Sequence, residues 1–125
     1  DEVTATPPAE NEWSADEVVA HLILNERWMQ AWLGSFMQGP RPNGYSCNTY
    51  SRIRPLTAAY NNGSALVDEL ERSFNETVAI MRNVDEDAAK RPATKWWMSF
   101  QLSQFKWHTD NHTRQIEEAL VAVQQ

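Results

Sequence analysis

Between Leu102 and Val123 the apolar residues return every third or fourth position, as Leu102, Phe105, Ile116, Ala119 and Val123. That interval is the period of an α-helix, so one face of a long helix is marked for burial. Two further positions of the same stripe hold His108 and His112. Residues four apart on a helix project from one face. Two imidazoles so placed can hold one divalent metal, and a third from a facing helix would complete a tripod. The remaining histidine, His21, lies in another amphipathic stretch, where the pattern also calls for an apolar residue.

That second stretch opens at Ser14, with Glu17 three residues on, the spacing of a capping box. Val18, Leu22, Trp28 or Met29, Trp32, Leu33 and Phe36 then recur near helical spacing, and Gly39 and Pro40 are expected to end the helix. Residues 1–12 are rich in Pro, Glu and Thr and read as an extended segment before the domain, which spans 13–125. Residues 39–63 read as a long connection, either a crossover between helices or a lid, with a short helical turn from Arg54 to Tyr60.

Ser64 is the expected cap of the next helix. Leu66, Leu70, Phe74 and Met81, with Val67 and Val78 beside them, mark its buried face; Asp68, Glu69, Glu71 and Glu76 mark the wet one. Asp85 to Lys90 reads as a short extra turn stopped by Pro92, Ala93 to Met98 as a loop, and Ser99 to Val123 as the last helix. No stretch alternates as a strand would, and no internal repeat is present. The fold class is all-α, an antiparallel helical bundle.

A chain of 125 residues with 42% hydrophobic and 22% charged residues supports one core and excludes wholesale disorder. The net charge is −6 with no basic cluster, which excludes a nucleic-acid backbone as partner. No apolar run reaches the roughly 20 residues that span a bilayer, and a cytoplasmic location is expected. The single cysteine, Cys47, excludes an intrachain disulfide and has no neighbouring histidine to activate it. Six tryptophans are many for one small core, so some are expected to line a pocket or an interface, against the plainer reading that they fill gaps between helices. The sequons at Asn62, Asn75 and Asn111 matter only in a secreted protein, and two fall inside expected helices. The chain opens on Asp1 without methionine, which suggests a processed or trimmed start.

A buried imidazole needs a partner for each ring nitrogen. A metal meets that need for several at once, with the outer nitrogens donating to polar neighbours. Gln104, Asn111 and Gln115 beside the pair, and Asn25 one turn after His21, are the candidates. The competing readings are a pair of surface histidines and, for His21 alone, a satisfied core histidine. The zinc-protease pattern His-Glu-x-x-His is absent, because no glutamate follows His108 and Asp110 lies on the wrong side of the helix.

Trp13-Ser14 followed by Glu17-Val-Val-Ala-His21-Leu22, Arg82 near the end of the middle helix, and His108-x-x-x-His112-x-x-Gln115-Ile116 together resemble the DinB/YfiT-like superfamily of metalloenzymes. The likeness runs from residue 13 to about residue 120. It implies a four-helix bundle in which His21, His108 and His112 bind zinc or nickel, or iron, with open positions on the metal. It also implies homodimers, and an activity like that of thiol-dependent relatives such as bacillithiol S-transferases and mycothiol-dependent maleylpyruvate isomerase. One departure stands out. Family members carry a full helix before the Trp-Ser block, whereas the dozen residues here are few and proline-laden, so that helix is expected to be absent or shortened. The open side would then favour a dimer.

Two function classes follow. One is a metal-dependent transferase or hydrolase that uses a low-molecular-weight thiol on a small-molecule substrate, with Trp96, Trp97 and Trp107 as pocket walls. The other is a non-catalytic interaction module, or a metal carrier or sensor, that retains the histidines.

Overall fold

The computed structural model describes residues 2–38, 50–60 and 62–125, the side chains of 34–38, 93 and 97 excepted. The helix stop at Gly39 and Pro40, the segment around Cys47 and much of the 39–63 connection lie outside the described residues. Among the described residues six helices follow one another: α1 (Glu2–Ala5), α2 (Ala15–Gln38), α3 (Tyr50–Ala59), α4 (Gly63–Arg82), α5 (Glu86–Lys90) and α6 (Pro92–Val123). No strand occurs among the described residues. The described residues form an all-α bundle of three long helices and three short ones.

α2 is the axis on which the rest assembles. It packs against α1, α3, α4 and α6, and every residue from Ser14 to His21 is buried. A helix covered on all sides must be apolar on all sides or have its polar groups met. Its start shows how this is done. Glu17 N–H donates to Ser14 Oγ at 3.2 Å and Ser14 N–H donates to Glu17 Oε2 at 2.9 Å. This is the reciprocal capping box read from the sequence, and it satisfies two otherwise orphaned backbone donors inside the fold.

Two apolar clusters divide α2 lengthwise. Val19, Ala20, Ile23 and Leu24 meet Ile53 of α3 and Leu66 of α4, with Trp13, Leu56, Leu70 and Ile116 against them. Farther along, Met29 and Leu33 meet Ile80, Met81, Val84 and Met98, beside the tilted ring pair Trp28 and Trp32. The N-terminal residues belong to this assembly. Within the segment expected to be extended, Glu2–Ala5 forms one helical turn. A Cβ on Gly63 would come within 2.7 Å of Asp16 Oδ1 and 3.2 Å of Thr4 Oγ1, so the first turn of α4 is pressed against both segments.

Three expectations are corrected. α4 is capped by Asn62, whose side chain accepts from Ala65 N–H at 2.9 Å, and Ser64 lies inside the helix. The face that α4 turns to α2 runs through Leu66, Glu69, Ser73 and Thr77, all buried, while Val67 and Phe74 are exposed. The small Ser73 and Thr77 leave room for Gln30, whose amide donates to Ser73 O at 3.0 Å and Thr77 Oγ1 at 3.1 Å. Glu69 belongs to no wet face. It pairs with Arg27 of α2 at 2.7 Å and with Arg72 one turn along α4.

The third correction concerns Pro92, which starts α6 where it was expected to be a stop. Proline suits a first helical position, where its missing N–H would have had no partner. Ala93 to Met98 is therefore helical, and α6 is 32 residues long, about 48 Å at 1.5 Å per residue. Its C-terminal half packs through Ile116 and Ala119. Trp96, Phe100, Leu102, Phe105 and Trp107 of its N-terminal half are exposed, so the expected stripe is buried at one end only.

Candidate metal centre

His21 is contributed by the buried first turns of α2, and His108 and His112 by the middle of α6, where the two helices pack together. The register set by Ile116 and Ala119 against the core carries the histidine pair inward, one and two turns before them. The three side chains meet. His108 Nε2 lies 3.4 Å from His21 Nε2 and 3.2 Å from His112 Nε2. One ligand atom from each falls within 4.8 Å of the others. His21 is 4% exposed, and His108 and His112 are half-buried.

The outer nitrogen of His112 is fixed. Its Nδ1–H donates to Gln115 Oε1 at 2.8 Å, which leaves Nε2 unprotonated and directed at the cluster. His108 Nε2 carries at most one proton, yet it faces two nitrogens. With His112 Nε2 unprotonated, a proton on His108 Nε2 would have to be shared between two acceptors, a weaker arrangement than a linear hydrogen bond. A cation resolves this, because it accepts all three lone pairs together. Nitrogen ligands about 2.0–2.1 Å from a tetrahedral ion are roughly 3.3 Å from one another, and the two Nε2 separations match that. Burial, with the neighbouring imidazoles of His112 and His21 adding to it, pushes His108 down to about 4. It is therefore neutral and ligand-competent at neutral pH.

Trp13 covers the cluster, its ring 5.1 Å from that of His21 and tilted by 40°. On the His112 side a cleft of about 640 Å³ opens to solvent, lined among others by Trp13, Glu12, Gln115 and Glu118. On the His108 side lies a smaller cavity of about 110 Å³, reached by Asn25, Gln104 and Trp107. A small molecule can thus approach the histidines from either face.

Of the polar neighbours expected around the site, Gln115 bonds a histidine. Asn25 and Gln104 line the His108 cavity. Asn111 instead accepts from Arg114 at 2.9 Å. Trp107 lines the same small cavity, whereas Trp96 is exposed and stacked on Phe100 at 5.6 Å. The Trp97 side chain lies outside the described residues. Asp110 is exposed and pairs with Lys106, away from the histidines. Arg82, at the end of α4, is exposed.

The sequence reading missed Trp13 as the cover of the site, and Glu12 and Glu118 as carboxylates of the large cleft. Glu118 was legible in principle, since it stands three residues after Gln115 and so shares its face of α6. Glu12 was not, because it reaches the cleft through a turn at Asn11, whose φ of 66° is left-handed. Comparison with protein families, with curated proteins and with solved structures finds no match for this chain.

Proposed function

We propose that this chain is a divalent-metal-binding protein of the DinB-like kind, an antiparallel bundle whose ion is held by His21, His108 and His112 and serves chemistry on a small molecule. The observation that carries the reading is the convergence of three imidazole nitrogens, two of their separations being 3.2 Å and 3.4 Å, with one ligand atom of each residue within 4.8 Å of the others. Zinc or nickel, or iron, suits an all-imidazole set. When bound, such an ion supplies Lewis acidity and lowers the pKa of a coordinated water or thiol toward neutrality.

The chain's own residues supply the setting. Gln115 fixes the tautomer of His112, Trp13 shields His21 from water, and the cleft beside His112 has room for a small polar molecule such as a low-molecular-weight thiol. On this reading the intact thiol, as its thiolate, is transferred to an electrophilic substrate: its sulfur bonds the electrophilic carbon, the thiol proton passes to solvent, and the substrate's leaving group departs with the electron pair of the bond that breaks. Thiol consumption that stops on chelation is the expected result in a screen of small thiols with electrophiles.

The metal itself is tested first. The purified chain, stripped with EDTA and titrated with Zn²⁺ or Ni²⁺ in a calorimeter, is expected to take up one equivalent, and His108→Ala to take up none with comparable affinity. Sub-stoichiometric uptake, or unchanged affinity in His108→Ala, overturns the reading.

The exposed apolar row of α6, from Trp96 to Trp107, favours a second reading, an interaction module that retains the histidines. It fits equally a homodimer in which a second subunit covers that row. No helix among the described residues is long and apolar enough to cross a membrane.

A further inference from the structure

α4 and α6 both pack on α2, yet among the described residues they make little contact with each other. Two helices that dock on a third without meeting leave a gap above it. Here that gap is a cavity of about 140 Å³. Met29 and Leu33 of α2 form its floor, Phe74 and Met81 of α4 one wall, and Leu102 and Phe105 of α6 the other. Leu102, 62% exposed, marks where it meets solvent. None of the three histidines lines it.

The surface this cavity presents is carbon almost throughout. Glu26 borders it, but its Oε2 is wholly buried and shows no surface to it. Thr77 borders it too. Its Oγ1 accepts from the Gln30 amide at 3.1 Å and donates to Ser73 O at 3.1 Å, so it is already committed. An ion of either sign entering here would give up its water and find no partner. An uncharged apolar group gives up nothing of the kind.

An apolar cavity of about 150 Å³ takes one benzene ring, so the volume here fits a single six-membered ring. The lining favours an aromatic one. The Phe74 and Phe105 ring centres are 5.7 Å apart, and aromatic edges and faces attract a further ring. The thioethers of Met29 and Met81 are polarisable and adapt to a ring placed against them. Phe74, Leu102 and Phe105 are exposed in the free chain, so a ring seated among them takes their apolar surface out of water. We infer that this cavity is a binding site for a small uncharged molecule with one aromatic ring, held among Met29, Leu33, Phe74, Met81, Leu102 and Phe105. The smaller cavity that reaches His108 adjoins it and shares Met29, Gln101 and Phe105 with it. Occupancy nevertheless needs no ion at the histidines.

The test titrates the full chain at pH 7 with toluene, benzylamine and benzoate, in EDTA and again with Zn²⁺. Affinity is read by calorimetry. Location is read by the ¹³C-methyl signals of Met29 and Met81, with Met98, which does not line the cavity, as the reference. Toluene is expected to bind at least tenfold more tightly than either ion, to shift Met29 and Met81 more than Met98, and to do so in EDTA. Leu102→Trp, a change at an exposed position that fills the mouth, should weaken toluene at least tenfold, and Val78→Phe, which fills the cavity from α4, should do the same. Phe100→Ala, on the exposed face of α6, should leave its affinity unchanged. Equal affinity for toluene and an ion, unmoved Met29 and Met81 signals, a requirement for Zn²⁺, or full affinity in both filled variants would each overturn the inference. So would a loss in Phe100→Ala, which would place the ring on the exposed face. Affinity that falls as the protein concentration rises would give the cavity to a second copy of the chain and overturn it as well.

Discussion

Gln115 accepts a hydrogen bond from His112 Nδ1 at 2.8 Å, both residues on α6 and three apart. The amide holds the ring in the tautomer that presents Nε2 to its two neighbours. Removing such an outer partner typically costs 10–100-fold in metal affinity. Gln115→Leu is therefore expected to weaken Zn²⁺ binding by about that factor, and Gln115→Glu to restore most of it, as measured by competition with a chromophoric chelator. Unchanged affinity in Gln115→Leu would remove the amide from the site.

Bound metal should stabilise the fold, since its ligands come together only in the folded chain. At 100 times its dissociation constant a ligand adds about 2.7 kcal/mol, which raises the Tm of a domain this size by roughly 10 °C. Thermal melts with Zn²⁺ and with EDTA measure the difference. In His21→Ala the gap should close almost entirely.

His108 gives the metal-free protein a pH dependence with a defined sign. Its pKa in the folded state, about 4, lies below the ordinary histidine value of 6.5. The folded chain resists a proton that the unfolded chain accepts, so stability is full above pH 6.5 and declines as the pH falls toward 4. Urea midpoints in EDTA should fall across that window. His108→Gln should flatten the part of the slope that His108 supplies.

Glu69 titrates in the opposite sense to what its burial alone would give. Burial alone would raise its carboxyl, but hydrogen bonds from Arg72, Arg27 and Tyr60 outweigh burial and hold it below the usual carboxylate range. Its contribution is present above the ordinary glutamate pKa and is lost as the pH falls through the lower folded value. Glu69→Ala leaves the half-buried Arg27 without its partner and should cost about 2–3 kcal/mol in chemical denaturation at pH 7. Arg72→Ala, at an exposed position, should change stability far less.

The parts of this molecule that follow from short-range rules were legible in its sequence. The Ser14–Glu17 capping box, the period of α2 and the one-turn spacing of His108 and His112 depend on residues three or four apart. The convergence of His21 with that pair, 87 residues away, was approached through the apolar stripes and through a family resemblance. Pro92 misled because a proline both ends helices and begins them, and only the chain beyond it decides which. Glu69 misled because arginines on two helices can neutralise a carboxylate on a packed face, and neither partner is visible in a periodicity.

The histidine cluster joins the second helix to the last, and this has a consequence for when it can exist. A chain emerging from the ribosome presents His21 early, but no second nitrogen lies near it until α6 has been made and docked. An ion captured before then would be held by one imidazole, with the low affinity of an isolated side chain. Metal loading would therefore follow the docking of α6, and an occupied site would be a certificate that α2 and α6 have met.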